Sequence, residues 1–389
     1  MRALTPAAVR FLASSRVQAE LEALAAEPLE PLSTLAALRR GWDADEAAWI
    51  YDQALLRRKA RVKFPRAAAM LFEAEALEQA SAAPLARWRA EQVFRPYGRV
   101  ADLGAGIGGD ALALAEAGKQ VLAVERDPVR AALLEHNAAA LGLSGRLRVV
   151  RGDWRELDLN TEAAFADPAR RAGGRRTVRL HAMEPPLDDL IRLAKRVPAV
   201  AVKLAPALDK GELPQGAGIG FISLSGELKE ALAGFGELAW AEPWALVLPA
   251  AACLRGSEGP LRAGPVASCF YEPDPAVIRA GLVRRLAAEL DAVQLDAQVA
   301  YLSSSGCRET PFARSWQVLE HGPFRQKTVA GWLAAYSAGG LEVKRRRSPV
   351  DPALLEKKLA GALVPGGPAL TLFLTRIRGR SWAILGRRG

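Results

Sequence analysis

Cysteine, histidine and long apolar runs are all scarce in this chain. Its three cysteines, Cys253, Cys269 and Cys307, are too few and too scattered to predict a disulfide framework, and they lack the paired spacing of a zinc site. The three histidines are also spread along the chain, so no metal centre is expected. No segment approaches the roughly 18 consecutive apolar residues that would span a bilayer, and the N-terminus starts an amphipathic pattern instead of a signal peptide. These absences predict a cytoplasmic protein with no metal and no membrane association.

Positive charge is abundant and unevenly placed. The 389 residues include 53 Lys and Arg against 43 Asp and Glu, which gives a formal net charge of +10. Between Phe324 and Gly389, thirteen basic residues accompany three acidic ones, so this tail carries the whole excess. A second basic run comprises Arg57, Arg58, Lys59, Arg61, Lys63 and Arg66. The basic tail and the basic run can each be an ordinary solvent-exposed surface. Charge confined to one tail, however, favours a polyanionic partner.

Three regions are predicted from the apolar pattern. Residues 1–95 have apolar positions at helical spacing and predict a helical N-terminal domain. From Arg99 onward, short apolar runs alternate with helical stretches, which predicts a Rossmann-like α/β sheet within 96–323. Residues 324–389 predict a small, basic α+β domain. The predicted strands of the middle region are Arg99–Leu103, Gln120–Glu125, Leu147–Arg151, Ala163–Ala166, Ala199–Leu204, Gly218–Leu224 and Trp244–Pro249, and a predicted helical stretch follows at Tyr271–Asp291.

The strongest motif runs from Val100 to Asp110, where a strand passes through a glycine-rich turn into a helix. Gly104, Gly106 and Gly109 also fit the G-x-G-x-x-G pattern of pyrophosphate-binding turns, so the glycines alone do not identify the ligand. Asp102 distinguishes between the possible ligands. Its carboxylate would repel a pyrophosphate but suits the ammonium end of S-adenosylmethionine.

Two further acids follow the next two predicted strands. Glu125 lies 21 residues after Gly104, where a carboxylate can accept hydrogen bonds from both ribose hydroxyls. Asp153 can accept from the adenine amino group, and Trp154 can cover the adenine ring. Acids at the carboxyl ends of consecutive parallel strands share one edge of a sheet. The predicted cofactor site comprises Asp102, Gly104, Gly106, Gly109, Asp110, Glu125, Arg126, Asp153, Trp154 and Asp167.

These motifs resemble those of a known family. D-x-G-x-G-x-G-G-D, V-E-R-D-P and G-D-W are similar to motifs of class I S-adenosylmethionine-dependent methyltransferases, over roughly residues 96 to 250. G-I-G-G-D followed by Asp127-Pro128 and, after eight intervening residues, Asn137 looks like the RNA cap guanine-N2 methyltransferase (trimethylguanosine synthase) group. The tail, with Pro323-Phe324, Glu342–Arg346 and Thr371–Arg376, resembles the THUMP-like domain of a bacterial set of these enzymes. Because true THUMP domains bind RNA, the resemblance implies an RNA partner.

The predicted methyl-acceptor site follows the fourth strand, at Asp167-Pro168. In base amino-methyltransferases the acid at this position accepts a hydrogen bond from the target amine and holds its nitrogen in line with the methyl group. In those enzymes the acid is followed by two prolines and an aromatic residue. Here Ala169 and Arg170 stand in place of the second proline and the aromatic residue. Arg170 can stack on a base or hold a phosphate, or it can be a solvated loop residue.

Lys203, at the end of the fifth strand, leaves a second chemistry open. Together with Asp167, Glu227 and an upstream Lys59 or Lys63, it resembles the Lys-Asp-Lys-Glu tetrad of ribose 2′-O-methyltransferases. In that tetrad a lysine lowers the pKa of the target hydroxyl. Lys203 can equally be a loop charge without a chemical role.

The leading hypothesis is methylation of a base nitrogen in tRNA or rRNA, with the tail and the 57–66 run holding phosphates. Ribose 2′-O methylation is the first alternative. A small-molecule or protein methyltransferase is the second, although neither needs such a basic tail. A catalytically idle RNA-binding protein that retains S-adenosylmethionine is the third. The oligomeric state is left open.

Overall fold

The computed structural model of the protein describes residues 2–168, 171–172, 175–176, 180 and 183–388. Its contacts divide the chain into two compact units. The first unit comprises 1–218 and 231–241, and the second comprises 219–230 and 242–389. The three domains predicted from the sequence divide the chain differently, after residues 95 and 323, and stay a prediction.

The described residues form thirteen α-helices, several of which begin at a proline or behind a capping side chain. The Thr5 hydroxyl accepts from a backbone N–H of the first helix, and Asp43 and Glu46 form a capping box at the fourth. None of these helices is long and apolar enough to cross a membrane. A π-helical turn, Arg89–Val93, follows the sixth helix. The helices are α1 (Pro6–Leu12), α2 (Ser15–Leu24), α3 (Pro31–Leu38), α4 (Ala44–Ala60), α5 (Ala74–Gln79), α6 (Ala83–Trp88), α7 (Gly109–Glu116), α8 (Pro128–Ala140), α9 (Leu187–Leu193), α10 (Pro275–Ala280), α11 (Val283–Glu289), α12 (Gln326–Ala335) and α13 (Pro352–Leu359).

The described strands include most of those predicted, at nearly the predicted bounds. They are β1 (Arg99–Leu103), β2 (Gln120–Glu125), β3 (Leu147–Arg151), β4 (Ala163–Ala166), β5 (Arg171–Ala172), β6 (Arg175–Arg176), β7 (Ala199–Leu204), β8 (Gly218–Leu224), β9 (Glu227–Gly236), β10 (Trp244–Leu248), β11 (Ala252–Arg255), β12 (Cys269–Pro273), β13 (Val293–Asp296), β14 (Val299–Ser304), β15 (Ala313–Pro323), β16 (Gly340–Arg345), β17 (Ala369–Ile377) and β18 (Arg380–Arg388). The short strands β5 and β6 pair only with each other.

In the first unit, strands β9, β7, β4, β1, β2 and β3 lie side by side in that order. All are parallel except β9, whose residues 231–236 pair antiparallel with β7. Strands β4 and β7 are buried along their whole length, as expected for central strands covered on both faces. This arrangement confirms the predicted Rossmann-like α/β sheet. It also brings the carboxyl ends of β1, β2 and β4 to one edge.

The second unit contains a seven-stranded sheet in the order β13, β14, β12, β15, β18, β17, β16. Its neighbours are antiparallel except for the parallel pair β16 and β17. Leu333 of α12 and Leu355 of α13 pack with apolar residues of β17 and β18 on one face. The other face carries a buried aromatic cluster formed by Phe270, Tyr301, Trp316 and Phe373. In the same unit, β10 pairs parallel with β8 and antiparallel with β11.

The tail is more closely integrated than the sequence predicts. Strand β15 precedes residue 324, the predicted start of the tail, and pairs with β18, with Trp316 opposite Arg388. The predicted helix at Tyr271–Asp291 is wrong at its start, because Cys269–Pro273 pairs as a strand between β14 and β15. Helices α10 and α11 occupy the remainder of that stretch.

Cysteine pairing also differs from the expectation. Cys269 and Cys307 form one disulfide, with their Cα atoms 5.2 Å apart, whereas Cys253 is free and exposed. Antiparallel pairing of β12 with β14 puts Cys269 opposite Ser304, and the next loop returns Cys307 to it. The separation of 38 residues along the chain hides this contact from the sequence. The described residues contain no cluster of His, Cys, Asp and Glu that could hold a metal ion.

Candidate functional site

The glycine-rich turn after β1 combines backbone freedom with open space. Gly104 and Gly106 have φ angles of 77° and 58°, and a Cβ at either position would meet no atom within 4 Å. The third left-handed glycine is Gly108, with φ 98°, where a Cβ would lie 2.4 Å from the Leu134 side chain. Gly109, predicted as the third glycine of the turn, already belongs to α7. The turn therefore leaves its backbone open on the side of Gly104 and Gly106, where a ligand can approach closely.

Asp102 lies near the end of β1 and is only 2% exposed. Its Oδ2 is buried without a hydrogen-bond partner among the described residues. Burial raises the pKa of Asp102 well above its ordinary value, and the Asp110 and Asp167 carboxylates raise it further, against a lowering effect of Arg89. A buried acceptor without a donor costs about 1–3 kcal/mol. The position therefore fits a ligand that brings a cationic donor, as the ammonium of S-adenosylmethionine does.

Glu125, at the end of β2, is held in one orientation by backbone donors. Its Oε2 accepts from the N–H of Gly106 and its Oε1 from the N–H of Asp127, each at 2.8 Å. Asp127 in turn caps α8 through its own carboxylate. Each oxygen of Glu125 keeps acceptor capacity beyond one bond. The carboxylate therefore keeps capacity for the two ribose hydroxyls, and that contact stays a prediction.

Asp153, after β3, is engaged by a neighbour that the sequence did not single out. The Arg155 guanidinium donates to both Asp153 oxygens, at 2.5–3.0 Å, and these bonds lower the pKa of Asp153. Arg155 also donates to Asp189 at 3.1 Å. Trp154 is buried beside Asp153, and Arg126 is exposed and lies 3.8 Å from a carboxylate oxygen of Glu184. The adenine contacts of Asp153, Trp154 and Arg126 stay a prediction.

The acceptor-site residues meet at the ends of two neighbouring strands. Asp167 follows β4 and Lys203 lies near the end of β7, and pairing of Ala166 with Val202 sets them side by side. The Lys203 Nζ donates to Asp167 Oδ2 at 2.5 Å. Lys203 is 8% exposed, whereas the Asp167 side chain keeps 29% of its surface in solvent. Pro168 is buried, and Arg170 lies outside the described residues.

Two residues of the helical N-terminal segment also reach the site. Asp110, in the first turn of α7, accepts from Arg89 Nε at 2.8 Å and from Arg89 Nη2 at 2.5 Å. The same Nη2 donates to the Ser81 hydroxyl oxygen at 2.8 Å, and Lys203 Nζ lies 3.3 Å from that oxygen. Sequence analysis missed Ser81 and Arg89, because their partners are distant along the chain. One of the Asp110 oxygens predicted to face the cofactor is thus occupied by an arginine.

Within the 57–66 run, Arg57 and Lys63 are engaged inside the protein, and phosphate binding by the run stays a prediction. Arg57 is buried, donates to the Met70 carbonyl at 2.9 Å, and has its pKa lowered to about 10 by burial. Lys63 donates to three backbone carbonyls at the end of α5, at 2.7–2.9 Å, and Lys59 pairs with Glu78 at 3.0 Å. Arg57 and Lys63 therefore connect segments of the first unit, whereas Lys59 is exposed.

Most basic residues of the tail, unlike Arg57, face solvent. Eleven of its thirteen basic residues are exposed: Arg325, Lys327, Arg345, Arg347, Lys357, Lys358, Arg376, Arg378, Arg380, Arg387 and Arg388. The other two, Lys344 and Arg346, pair with Glu272 at 2.7 and 3.8 Å. The positive excess of the chain is therefore presented to solvent by the second unit.

Comparison with known proteins matches both parts of the chain. The model of the RNA cap guanine-N2 methyltransferase family matches residues 97–188, and the THUMP domain-like model matches residues 313–388. The crystal structure of a proposed methyltransferase from Porphyromonas gingivalis W83 has a similar fold, with a TM-score of 0.81. That similarity covers 96% of this chain and 98% of the other, at 22% sequence identity.

A curated relative shows sequence similarity over most of the chain. It is an uncharacterised S-adenosylmethionine-dependent methyltransferase of Mycobacterium tuberculosis, found in the strains CDC 1551 / Oshkosh and ATCC 25618 / H37Rv. The two chains are 35% identical over 353 residues, which cover 86% of this chain and 94% of the relative. This identity over most of both chains shows that the protein belongs to the S-adenosylmethionine-dependent methyltransferases.

Proposed function

We propose that this enzyme methylates a base nitrogen of tRNA or rRNA. The observation that carries the proposal is the half-exposed carboxylate of Asp167, at the sheet edge that also holds Asp102 and Glu125. When bound, S-adenosylmethionine supplies a methyl group on a cationic sulfur, which the attacking nitrogen displaces while losing one proton. The residues of this edge then have to bind the cofactor and present an amine to it.

Asp167 has the features that an amine acceptor requires. Its Oδ2 is held by Lys203, whereas Oδ1 accepts no hydrogen bond among the described residues. A carboxylate with one oxygen fixed and the other exposed can accept from an exocyclic N–H and orient the nitrogen lone pair. An amine needs this orientation more than it needs a strong base. The pair of Asp167 and Lys203 therefore supports nitrogen as the methyl acceptor.

The ribose alternative has weaker support. Its tetrad needs a second lysine, for which the sequence offers Lys59 and Lys63. The Lys63 ammonium makes three hydrogen bonds to backbone carbonyls, and Lys59 is exposed and paired with Glu78. Glu227 is exposed and paired with Lys229. These engagements favour base methylation over activation of a ribose hydroxyl.

RNA as the substrate is supported by the charge of the second unit. Eleven exposed cations in a segment with three acids provide the phosphate contacts that dominate nucleic-acid affinity. The match of this segment to the THUMP domain-like model points the same way. A small-molecule methyltransferase has no use for this arrangement.

The test is methyl transfer from labelled S-adenosylmethionine to total cellular RNA, followed by nucleoside mass spectrometry. We expect an N-methylated nucleoside with the wild-type enzyme, and loss of most of that product with Asp167→Ala. Asp188→Ala, which removes an exposed acid at the start of α9, is the matched control and is expected to keep activity. A 2′-O-methylated product would contradict base methylation, and label found only in protein or small molecules would contradict the RNA substrate.

A further inference from the structure

The helical N-terminal segment contributes two buried polar side chains to the centre of the first unit. Ser81 lies between α5 and α6 and is 5% exposed, and Arg89 opens the π-helical turn and is 1% exposed. Burying an arginine this completely is costly unless its donors are satisfied. π-Helical turns such as the one that Arg89 opens are frequent at functional sites. Neither residue belongs to the glycine turn or to the strand ends that hold the cofactor and the acceptor acid.

Hydrogen bonds connect these two residues to both ends of the site. Asp110 binds Arg89, Arg89 binds the Ser81 oxygen, Lys203 binds the same oxygen, and Lys203 binds Asp167, with donor–acceptor distances between 2.5 and 3.3 Å. The Arg89 guanidinium also lies over the Phe165 ring, 5.0 Å from its centroid. Phe165 belongs to β4, the strand that ends just before Asp167. Arg89 is therefore fixed by an acid on one side and by the β4 core beneath it.

The chemistry of the groups sets the direction of every bond in this series. Arginine and lysine side chains only donate, so the Ser81 oxygen must accept from both cations. Arg89, which is rigid and planar, defines the position of that oxygen. Lys203 ends a flexible four-carbon stem, so each hydrogen bond to its ammonium narrows the positions that the ammonium can take. The second bond, to Ser81, restricts the ammonium and with it the carboxylate plane of Asp167.

We propose that Ser81 and Arg89 are positioning residues, which hold Lys203 so that the Asp167 carboxylate is correctly oriented toward the methyl acceptor. The inference rests on the proposed role of Asp167. It gives the helical N-terminal segment a place in the catalytic unit, since the Ser81 oxygen is one of the groups that hold Lys203 beside Asp167. A displacement of about 1 Å at a reacting group can lower a rate about a hundred-fold, so a remote hydroxyl can matter for turnover.

The first test is Ser81→Ala in the full-length enzyme. We expect S-adenosylmethionine affinity, measured by calorimetry, to stay within about twofold, because Asp102 and Glu125 are untouched. The single-turnover methylation rate of RNA is expected to fall about ten- to a hundred-fold, with little change in KM for RNA. Ser81→Thr, which keeps the accepting oxygen, should retain most of the rate. Ser303→Ala, which removes another buried hydroxyl but in the second unit, controls for a general loss of stability.

Arg89→Lys is the second variant, in case Ser81→Ala does not fold. A lysine can keep the charge beside Asp110 but cannot reach both Asp110 and Ser81 as the arginine fork does. The expected result is the same loss of rate with retained cofactor affinity. A wild-type rate in a folded Ser81→Ala or Arg89→Lys enzyme would overturn the proposal.

A readout without substrate separates this inference from the proposed function. The side-chain resonances of Lys203, assigned with Lys203→Arg in isotope-labelled protein, are expected to report an immobile ammonium in the wild type and a mobile one in Ser81→Ala. Unchanged Lys203 resonances in Ser81→Ala would refute the positioning role. Absence of any methylated RNA with the wild-type enzyme would instead refute the proposed function, and the lysine resonances would then decide the inference alone.

Discussion

Asp102→Asn is expected to stabilise the cofactor-free protein and, at the same time, to weaken its binding of S-adenosylmethionine. Asp102 is 2% exposed, its Oδ2 has no partner among the described residues, and two more carboxylates lie nearby. Without the cofactor, burial and the neighbouring carboxylates disfavour the charged form of Asp102. Asparagine carries no charge and can donate to a neighbouring carboxylate, so it suits the cofactor-free state better. It cannot offer the ligand ammonium a charged acceptor.

The magnitudes follow from the burial of this group. Relieving an unsatisfied buried acceptor is expected to raise the free energy of unfolding by about 1–3 kcal/mol. Losing a charge-assisted hydrogen bond to the cofactor is expected to cost about 1.5–3 kcal/mol of binding, or about a ten- to hundred-fold rise in Kd. Asp110→Asn should act in the opposite direction on stability, because it removes the negative charge that Asp110 places beside the buried Arg89; breaking such a buried pair costs about 3–5 kcal/mol.

The pH dependence has a defined sign. Because the folded, cofactor-free protein holds the pKa of Asp102 above its ordinary value near 3.8, the folded state binds this proton more tightly than the unfolded state. The stability of the wild type should therefore fall as pH rises from about 3.8 through the raised pKa. Cofactor binding needs the charged carboxylate, so wild-type affinity should rise with pH over the same window. Asp102→Asn has no ionisable group at this position, so neither its stability nor its cofactor affinity should show these pH dependences.

Chemical denaturation with and without S-adenosylmethionine, repeated across pH, measures both effects in one series. Calorimetry in buffers of different protonation enthalpy would also show proton release on binding to the wild type and less release with Asp102→Asn. The reasoning is refuted if the variant is less stable than the wild type without cofactor, or if both proteins bind S-adenosylmethionine equally well at neutral pH.

The other predictions concern the ribose contact, the acceptor and the RNA. Glu125→Ala should weaken S-adenosylmethionine binding by about 1–3 kcal/mol, measured by calorimetry, and unchanged affinity with an intact fold would remove Glu125 from the site. Asp167→Asn should keep part of the single-turnover rate because its amide oxygen still accepts, whereas a dead Lys203→Ala enzyme whose rate recovers at high pH would indicate ribose chemistry. Replacing both Arg378 and Arg380 by alanine should leave cofactor affinity unchanged and make RNA affinity less dependent on salt. Equal salt slopes would exclude these two arginines from the RNA contact.

The elements of the first unit could be predicted from sequence because local signals are strong there. Strands such as Ala199–Leu204 are short, buried runs, and buried parallel strands are apolar on both faces. The acids Asp102 and Glu125 were found because parallel strands bring their carboxyl ends together regardless of loop length. Periodicity and the order of strands therefore sufficed for the cofactor edge.

Features that depend on distant pairing could not be predicted in the same way. Cys269 and Cys307 meet only because β12 pairs with β14, and Trp316 belongs with the tail only because β15 pairs with β18. Ser81 and Arg89 lie in a segment whose pattern is simply helical, so nothing local marks their contact with Asp110 and Lys203. Arg57 shows the converse limit, because charge density along the chain does not reveal that its side chain is buried.

The position of β18 inside the seven-stranded sheet has a consequence for how the protein is made. It lies between β15 and β17, yet it is synthesised after both of them. Until it emerges, β15 has an open edge and the aromatic face behind Trp316 lacks its Ile384. By then nearly all of the first unit has been synthesised and can fold, since domains generally form in order of synthesis. We expect chains that stop short of β18 (Arg380–Arg388) to hold the cofactor while exposing an apolar half-sheet, so β18 is needed for solubility.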